Sequence, residues 1–236
     1  FIDLFATPGI FQSVWLSLFT GLITTLFSLI VVMFFVSSWY GTAAFSRMQS
    51  LISPLLSVPH AAAAFGLAFL IAPSGMLIRL ASPWLTGFER PPDWLILQDP
   101  WGLSMLAGLV VKEIPFLLLV TLSALPQTTA RQSGHIAASL GYGRTIGFLL
   151  VSWPLVYKQI RLAVFAVIAY ASSVVDVSII LGPSAPATLS VQLTRWMNDP
   201  DISLRFVASA GALLQLAVTL FSILFWIGAE KTVGRL

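Results

Sequence analysis

His135-Ile136-Ala137-Ala138-Ser139-Leu140-Gly141-Tyr142-Gly143-Arg144, closed by Val151-Ser152-Trp153-Pro154, is a polar interruption between two long apolar runs. Arg131, Arg144, Lys158 and Arg161 lie in or beside it, and it contains no acidic residue. Lys and Arg next to membrane spans resist translocation, so a basic loop of this length is expected on the cytoplasmic side. Its layout reads as helix, turn, helix. Ile136 to Leu140 is Ala-rich and helix-favouring, Gly141 and Gly143 allow the backbone to turn with positive φ, and Thr145 to Val151 resumes an apolar run before Pro154. Such a hairpin presents a small knob to a partner.

The flanking runs belong to a membrane protein. Of 236 residues 58% are hydrophobic and only 9% charged, with mean hydropathy +0.94, too apolar for a water-facing surface. The net charge of +3 comes from basic residues spread thinly beside the apolar runs, a pattern that sets topology and does not suit nucleic-acid binding. The absence of Cys excludes disulfides, thiolate metal sites and Cys nucleophiles. Two distant His make a metal site unexpected, no G-x-x-x-x-G-K-[ST] loop occurs, and no nucleophile, base and orienter can be assembled. No cofactor and no enzymatic activity are expected.

The fold class expected is all-α integral membrane with about five transmembrane helices in one domain, residues 1–236. The spans are read at about Ser13 to Ser38, Leu51 to Ala72, Trp101 to Leu125, Leu162 to Leu181 and Arg205 to Ala229. Met76 to Phe88, after the break at Pro73-Ser74-Gly75, reads as an interfacial piece, and Gly182 to Leu204 as a polar loop with a short helix near Val191 to Met197. Ala61-Ala62-Ala63-Ala64-Phe65-Gly66 offers a small-residue face for a neighbouring helix. With the basic loop inside, the N-terminus lies outside and the C-terminus is cytoplasmic. Arg47, Arg131, Arg144, Lys158, Arg161, Lys231 and Arg235 then fall inside, Arg79, Arg90, Arg195 and Arg205 outside, and Lys112 within the third span. The chain begins Phe1-Ile2-Asp3 with no signal-peptide pattern, and is expected to be a portion of a longer polypeptide.

The basic loop resembles the cytoplasmic signature of permease subunits of binding-protein-dependent ABC importers of the type I fold: Glu-Ala-Ala, three residues, Gly, nine residues, then Ile-x-Leu-Pro. Aligned on Gly141 and Pro154, His135 stands in place of the Glu, Ile136 at the first Ala, Ala137 at the second, Val151 at Ile and Trp153 at Leu, with Ala138 directly following the Ala pair. Gly, the second Ala and Pro match outright, and the Glu is missing, which puts any ion pair it makes in doubt. The resemblance implies that residues 128–155 form a coupling helix seated in a cleft of an ABC ATPase subunit. It also implies a periplasmic solute-binding protein, a second permease half or subunit, and a bacterial inner-membrane location. Permeases of this kind are sometimes fused in pairs, so this piece reads as a whole subunit or one half of a fusion. Likeness along the chain points to the branch handling ferric iron, thiamine, polyamines or related small solutes.

Lys112 and Glu113 sit near the middle of the third span, before Pro115, where ionisable groups cost at least about 2.5 kcal/mol each and are expected to face protein or water. Asp176, read within the fourth span, is expected to meet Lys112, line the passage or sit near the outer interface. These three are candidates for the translocation pathway or for helix pairing. His60 reads as a packing residue, and the eight Trp as interface anchors. The competing readings are a secondary transporter driven by an ion gradient and a non-transporting membrane scaffold.

Overall fold

The computed structural model describes residues 1–40, 42, 45, 52 and 54–233. Outside the description are the side chains at 130, 131, 135, 138 and 233, the start expected for the second span at Leu51, and Arg47 and Arg235 of the cations expected inside. Regular structure among the described residues is entirely helical. In chain order it comprises α1 (Ile2–Ala6), α2 (Ile10–Trp39), α3 (His60–Ile71), α4 (Met76–Ala81), α5 (Leu103–Ala124), α6 (Ala130–Ser139), α7 (Arg144–Gly147), α8 (Trp153–Ser173), α9 (Asp176–Leu181), α10 (Leu189–Met197) and α11 (Leu204–Val233), with a 3₁₀ turn at Leu125–Gln127 and a π-helical turn at Phe148–Ser152. Among the described residues five helical stretches are long and apolar enough to cross a membrane: Ile10–Trp39, His60–Ala81, Leu103–Gln127, Arg144–Ser173 and Leu204–Thr232.

Two span boundaries differ from expectation. The second does not run as one helix from Leu51: Val58 and Pro59 are not helical, and α3 starts at His60. A proline has no N–H to give to the carbonyl four residues back. The fourth stretch runs from Arg144 to Ser173, its regular α-helix beginning at Trp153, where Leu162 to Leu181 was expected. Lys158 and Arg161 do not mark its start. Lys158 is exposed on the helix, and the Arg161 guanidinium lies 5.1 Å from the centre of the Phe165 ring, so long cationic stems accommodate the charges within the first turns. At the far end, the Ser172 and Ser173 hydroxyls both donate to the Ala169 carbonyl, at 3.1 and 2.7 Å. Hydroxyls folding back on a helix compete with its own ladder, and the chain leaves the helix before Asp176 opens α9.

Close contacts divide the chain into two compact units. The first comprises Phe1–Ile23, Pro59–Leu109 and Ile168–Leu236. Leu16, Met105, Leu109, Val174, Val177 and Leu181 form one of its cores; Leu4, Ile10, Leu189, Trp196, Ala208 and Val218 form another. Polar bonds stitch these helices together: the Leu189 N–H donates to Ser17 Oγ at 3.1 Å, Ser190 Oγ to the Val174 carbonyl at 2.8 Å, and Gln215 Nε2 to the Ser172 carbonyl at 3.1 Å. In apolar surroundings such bonds hold helices that hydrophobic contrast alone does not.

The second unit comprises Thr24–Val58 and Val110–Val167. Val156, Ile160 and Val164 recur every four residues along one face of α8 and are fully buried, as are Val32, Val36 and Leu117. This unit contains the signature hairpin.

Candidate functional site

The hairpin is built from α6, a tight turn, α7 and the π-helical turn that leads into α8. Its turn is set by Gly141, whose φ of 87° lies in the left-handed region. The Tyr142 N–H reaches back to the Ala137 carbonyl at 3.1 Å, closing the last turn of α6 across a left-handed glycine. A Cβ on Gly141 would meet nothing within 4 Å. Gly is therefore used here for its backbone conformation, since an L-residue there costs about 1–2 kcal/mol.

Ala137 is 1% exposed, and a Cβ placed on Gly147 would stand 2.9 Å from its methyl group. The two arms of the hairpin thus touch through an alanine and a glycine, and α6 packs against the π-helical turn. Pro154 follows that turn after one residue, Trp153. In an α-helix its ring would strike the Leu150 carbonyl; the wider π turn spanning Leu150 gives the ring room. The Arg144 side chain donates to the Tyr40 carbonyl and ties the outgoing arm to the end of α2.

What the hairpin leaves uncovered is apolar. Ile136, beside Ala137 on α6, is 60% exposed and Leu140, just past the end of that helix, 71%. Ile146, Leu150 and Val151 are exposed on the returning arm. Of the seven signature positions singled out from sequence, Ala137, Gly141 and Pro154 therefore build the turn, while Ile136 and Val151 present surface. The side chains of His135 and Ala138 lie outside the description.

Lys112 and Glu113 are both buried, at 5% and 4% exposure. The Lys112 ammonium donates to the carbonyls of Leu55, Leu56 and Val58, at 2.9, 3.5 and 2.6 Å. Pro59 explains why they are available: residues 54–57 are helical and Val58 is not, and Pro59 withholds the N–H that Leu55's carbonyl would otherwise accept. A cation gathers the free carbonyls of a broken helix, a charge-assisted arrangement stronger than neutral pairing. Asp176 belongs to the other unit, where it is exposed at the first position of α9. The reading of it as a residue within the fourth span is corrected accordingly. His60 opens α3, its ring 4.7 Å from that of Tyr170.

The sequence alone singles out no role for Asp99, which stands just before α5. Its carboxylate accepts from the Leu103 N–H at 2.8 Å and from the Ser104 N–H and hydroxyl, both at 2.9 Å. It thereby satisfies two of the donors that α5 leaves unpaired at its start. Burial pushes this carboxyl up, and the hydrogen bonds from Ser104 and Leu103 outweigh it, holding Asp99 below the usual carboxylate value. The Ser104 hydroxyl shares its one proton between Asp99 and the Leu181 carbonyl, 2.7 Å away, which takes the Gln98 N–H as well. The signal was present as an Asp shortly before a helical run.

No family model matches the chain. The inner membrane ABC transporter permease protein YnjC of Escherichia coli (strain K12) is 31% identical over 238 residues, which cover 98% of this chain. The chain resembles an ABC-transporter permease. It spans 44% of that permease's length. The likeness covers 98% of this chain, and an all-helical fold with five membrane-length stretches among the described residues is consistent with a permease.

Proposed function

We propose that this chain is the membrane-spanning permease component of an ATP-driven importer of a small solute, in the inner membrane with its C-terminus cytoplasmic. The observation that carries the reading is the hairpin of residues 128–155: a turn that needs Gly141 and Ala137 for its shape and leaves Ile136 and Leu140 uncovered at its tip. Apolar side chains on a short polar loop of a membrane protein face neither lipid nor core, and are suited to a partner's cleft. The partner is a pair of ABC ATPase subunits. Their closure on ATP displaces the docked hairpin, and the displacement passes into α5 and α8, which are continuous with it in the chain, to switch access to the pathway.

A solute-binding protein delivers cargo on the opposite face, and a second permease half or copy completes the pore. Lys112, Glu113 and Asp176 serve as helix-pairing or pathway residues, with Lys112 in the pairing role supported by its carbonyl contacts. Nothing in the reading requires chemistry on the solute, and the whole chain 1–236 acts as one transmembrane domain.

The test is co-purification with the ATPase subunits and ATP-dependent uptake in proteoliposomes, comparing wild type with Ala137→Arg and Gly141→Arg. Loss of both complex and uptake is expected. Undiminished ATPase binding and transport in both variants would overturn the reading, as would uptake by purified wild-type chain with no ATPase present.

A further inference from the structure

A second feature lies far along the chain from the hairpin. Residues within 73–91 line an open cleft of about 490 Å³ whose lining includes Arg79, Arg90, Ser74, Ser82 and Glu89. That volume falls within the roughly 300–1,000 Å³ of small-molecule sites. The walls are held locally. Leu85 and Gly87 N–H groups donate to the Ala81 and Pro83 carbonyls at 2.8 and 2.7 Å, Ser82 and Thr86 hydroxyls lie 2.6 Å apart, and Phe88 meets Trp94 edge to face.

We propose that this cleft binds the phosphate headgroup of an anionic membrane phospholipid. Two guanidiniums against one carboxylate leave the lining net positive, and guanidinium is the side chain best shaped for phosphate oxygens. Among the described residues neither guanidinium donates to a protein acceptor. The surroundings select a lipid over a free anion. On the same segment Leu80, Trp84 and Leu85 are 70%, 90% and 87% exposed, Leu80 in the last turn of a stretch long and apolar enough to cross the membrane and the other two just beyond it. Water would be a poor solvent for that ridge. Acyl chains lying along it while the headgroup meets Arg79 and Arg90 satisfy both the apolar and the charged half of the segment, and Trp at a span end suits the headgroup level.

The experiment reconstitutes the chain in nanodiscs of phosphatidylcholine alone or mixed with phosphatidylglycerol, then counts retained lipids by native mass spectrometry after mild detergent transfer. Wild type is expected to retain phosphatidylglycerol over phosphatidylcholine, and the Arg79→Gln/Arg90→Gln double variant to lose that preference by about tenfold. Arg195→Gln, an exposed arginine outside the cleft, is expected to keep it. Glu89→Gln, which removes the one acid of the lining, is expected to strengthen retention and provides a second reading if the double variant does not fold. No lipid preference in wild type, full retention by the double variant, or weakened retention by Glu89→Gln would overturn the proposal. Displacement of phosphatidylglycerol by millimolar inorganic phosphate would also overturn it, by showing a free-anion site.

Discussion

The loops on either side of α5 are built by opposite rules. Before it, Asp99 is buried and meets three donors, while the Leu181 carbonyl takes both the Gln98 N–H and the Ser104 hydroxyl. After it, the hairpin satisfies its backbone at Gly141 but leaves Ile136, Leu140, Ile146 and Leu150 more than half exposed. A loop that closes on itself in this way is a joint. One that spends its polar groups on its own turn and shows apolar side chains outward is a surface for something else.

The sharpest way to break that contrast is to change the hairpin's surface without touching its turn. Ile136→Lys together with Leu140→Lys is expected to weaken ATPase binding roughly 100-fold, the effect of two ordinary interface anchors. The thermal midpoint of the purified chain should stay within about 1 °C, since neither side chain is buried. Binding is read by titrating labelled permease in nanodiscs with the ATPase subunit. Unweakened binding would make the exposed apolar tip irrelevant to docking; a large fall in midpoint would make it part of the fold.

Lys112 tests whether the hairpin's own unit also contains a closed joint. Lys112→Met keeps the stem but leaves the Leu55 and Val58 carbonyls without their donor, at an expected cost of about 2–3 kcal/mol. Lys112→Arg, which keeps charge and donors, should recover at least half. Denaturant unfolding in mixed micelles measures both. Equal stability of wild type and Lys112→Met would show that water or neighbouring helices serve those carbonyls equally well.

A smaller effect separates shape from surface within the hairpin. Gly141→Ala is expected to cost about 1–2 kcal/mol because the left-handed turn disfavours any L-residue, although its Cβ meets no neighbour within 4 Å. Gly141→Asn, better tolerated there, should cost less. If Ala and Asn behave alike, the turn is not held left-handed, and Gly141 acts by leaving space for the partner.

The hairpin was legible in sequence because its determinants are local. Gly141 declares the turn, Pro154 the start of the next helix, and the Arg and Lys around them the basic loop; each works through its own backbone or an immediate neighbour. The number of spans was legible for the same reason, since length and hydropathy are properties of single runs. What was hidden depends on distant partners. The acceptors of Lys112 lie 54 to 57 positions earlier in the chain, and the carbonyl that Ser104 meets lies 77 positions later. The fourth span was misplaced because charge was taken to mark its start, whereas Trp153 begins the helix and the hydroxyls of Ser172 and Ser173 accompany its end. Nothing in the residue types of Phe148 to Ser152 announces a π turn; only the need to pass Pro154 does.

The joint before α5 makes the last and smallest prediction, and it is one of pH. Asp99 is held below its ordinary value of 3.8 by its bonds to Ser104 and Leu103, despite the opposing effect of burial. A carboxyl depressed on folding releases its proton more readily in the folded chain than in the unfolded one. Its contribution is therefore complete above the unfolded value and is lost as pH falls through the lower folded value. Asp99→Asn removes the ionisation and keeps the shape. It should cost about 1 kcal/mol near neutral pH, and the gap between the two proteins should shrink as pH is lowered through 4 and below, because the wild type alone loses this source of stability. Thermal unfolding of both in the same detergent from pH 6 down to pH 3 measures the difference directly, with charges common to the two proteins cancelling. A gap that stays constant across this range would mean that Asp99 holds α5 through shape and hydrogen-bond count alone, and that the negative charge facing the helix start adds nothing to the joint.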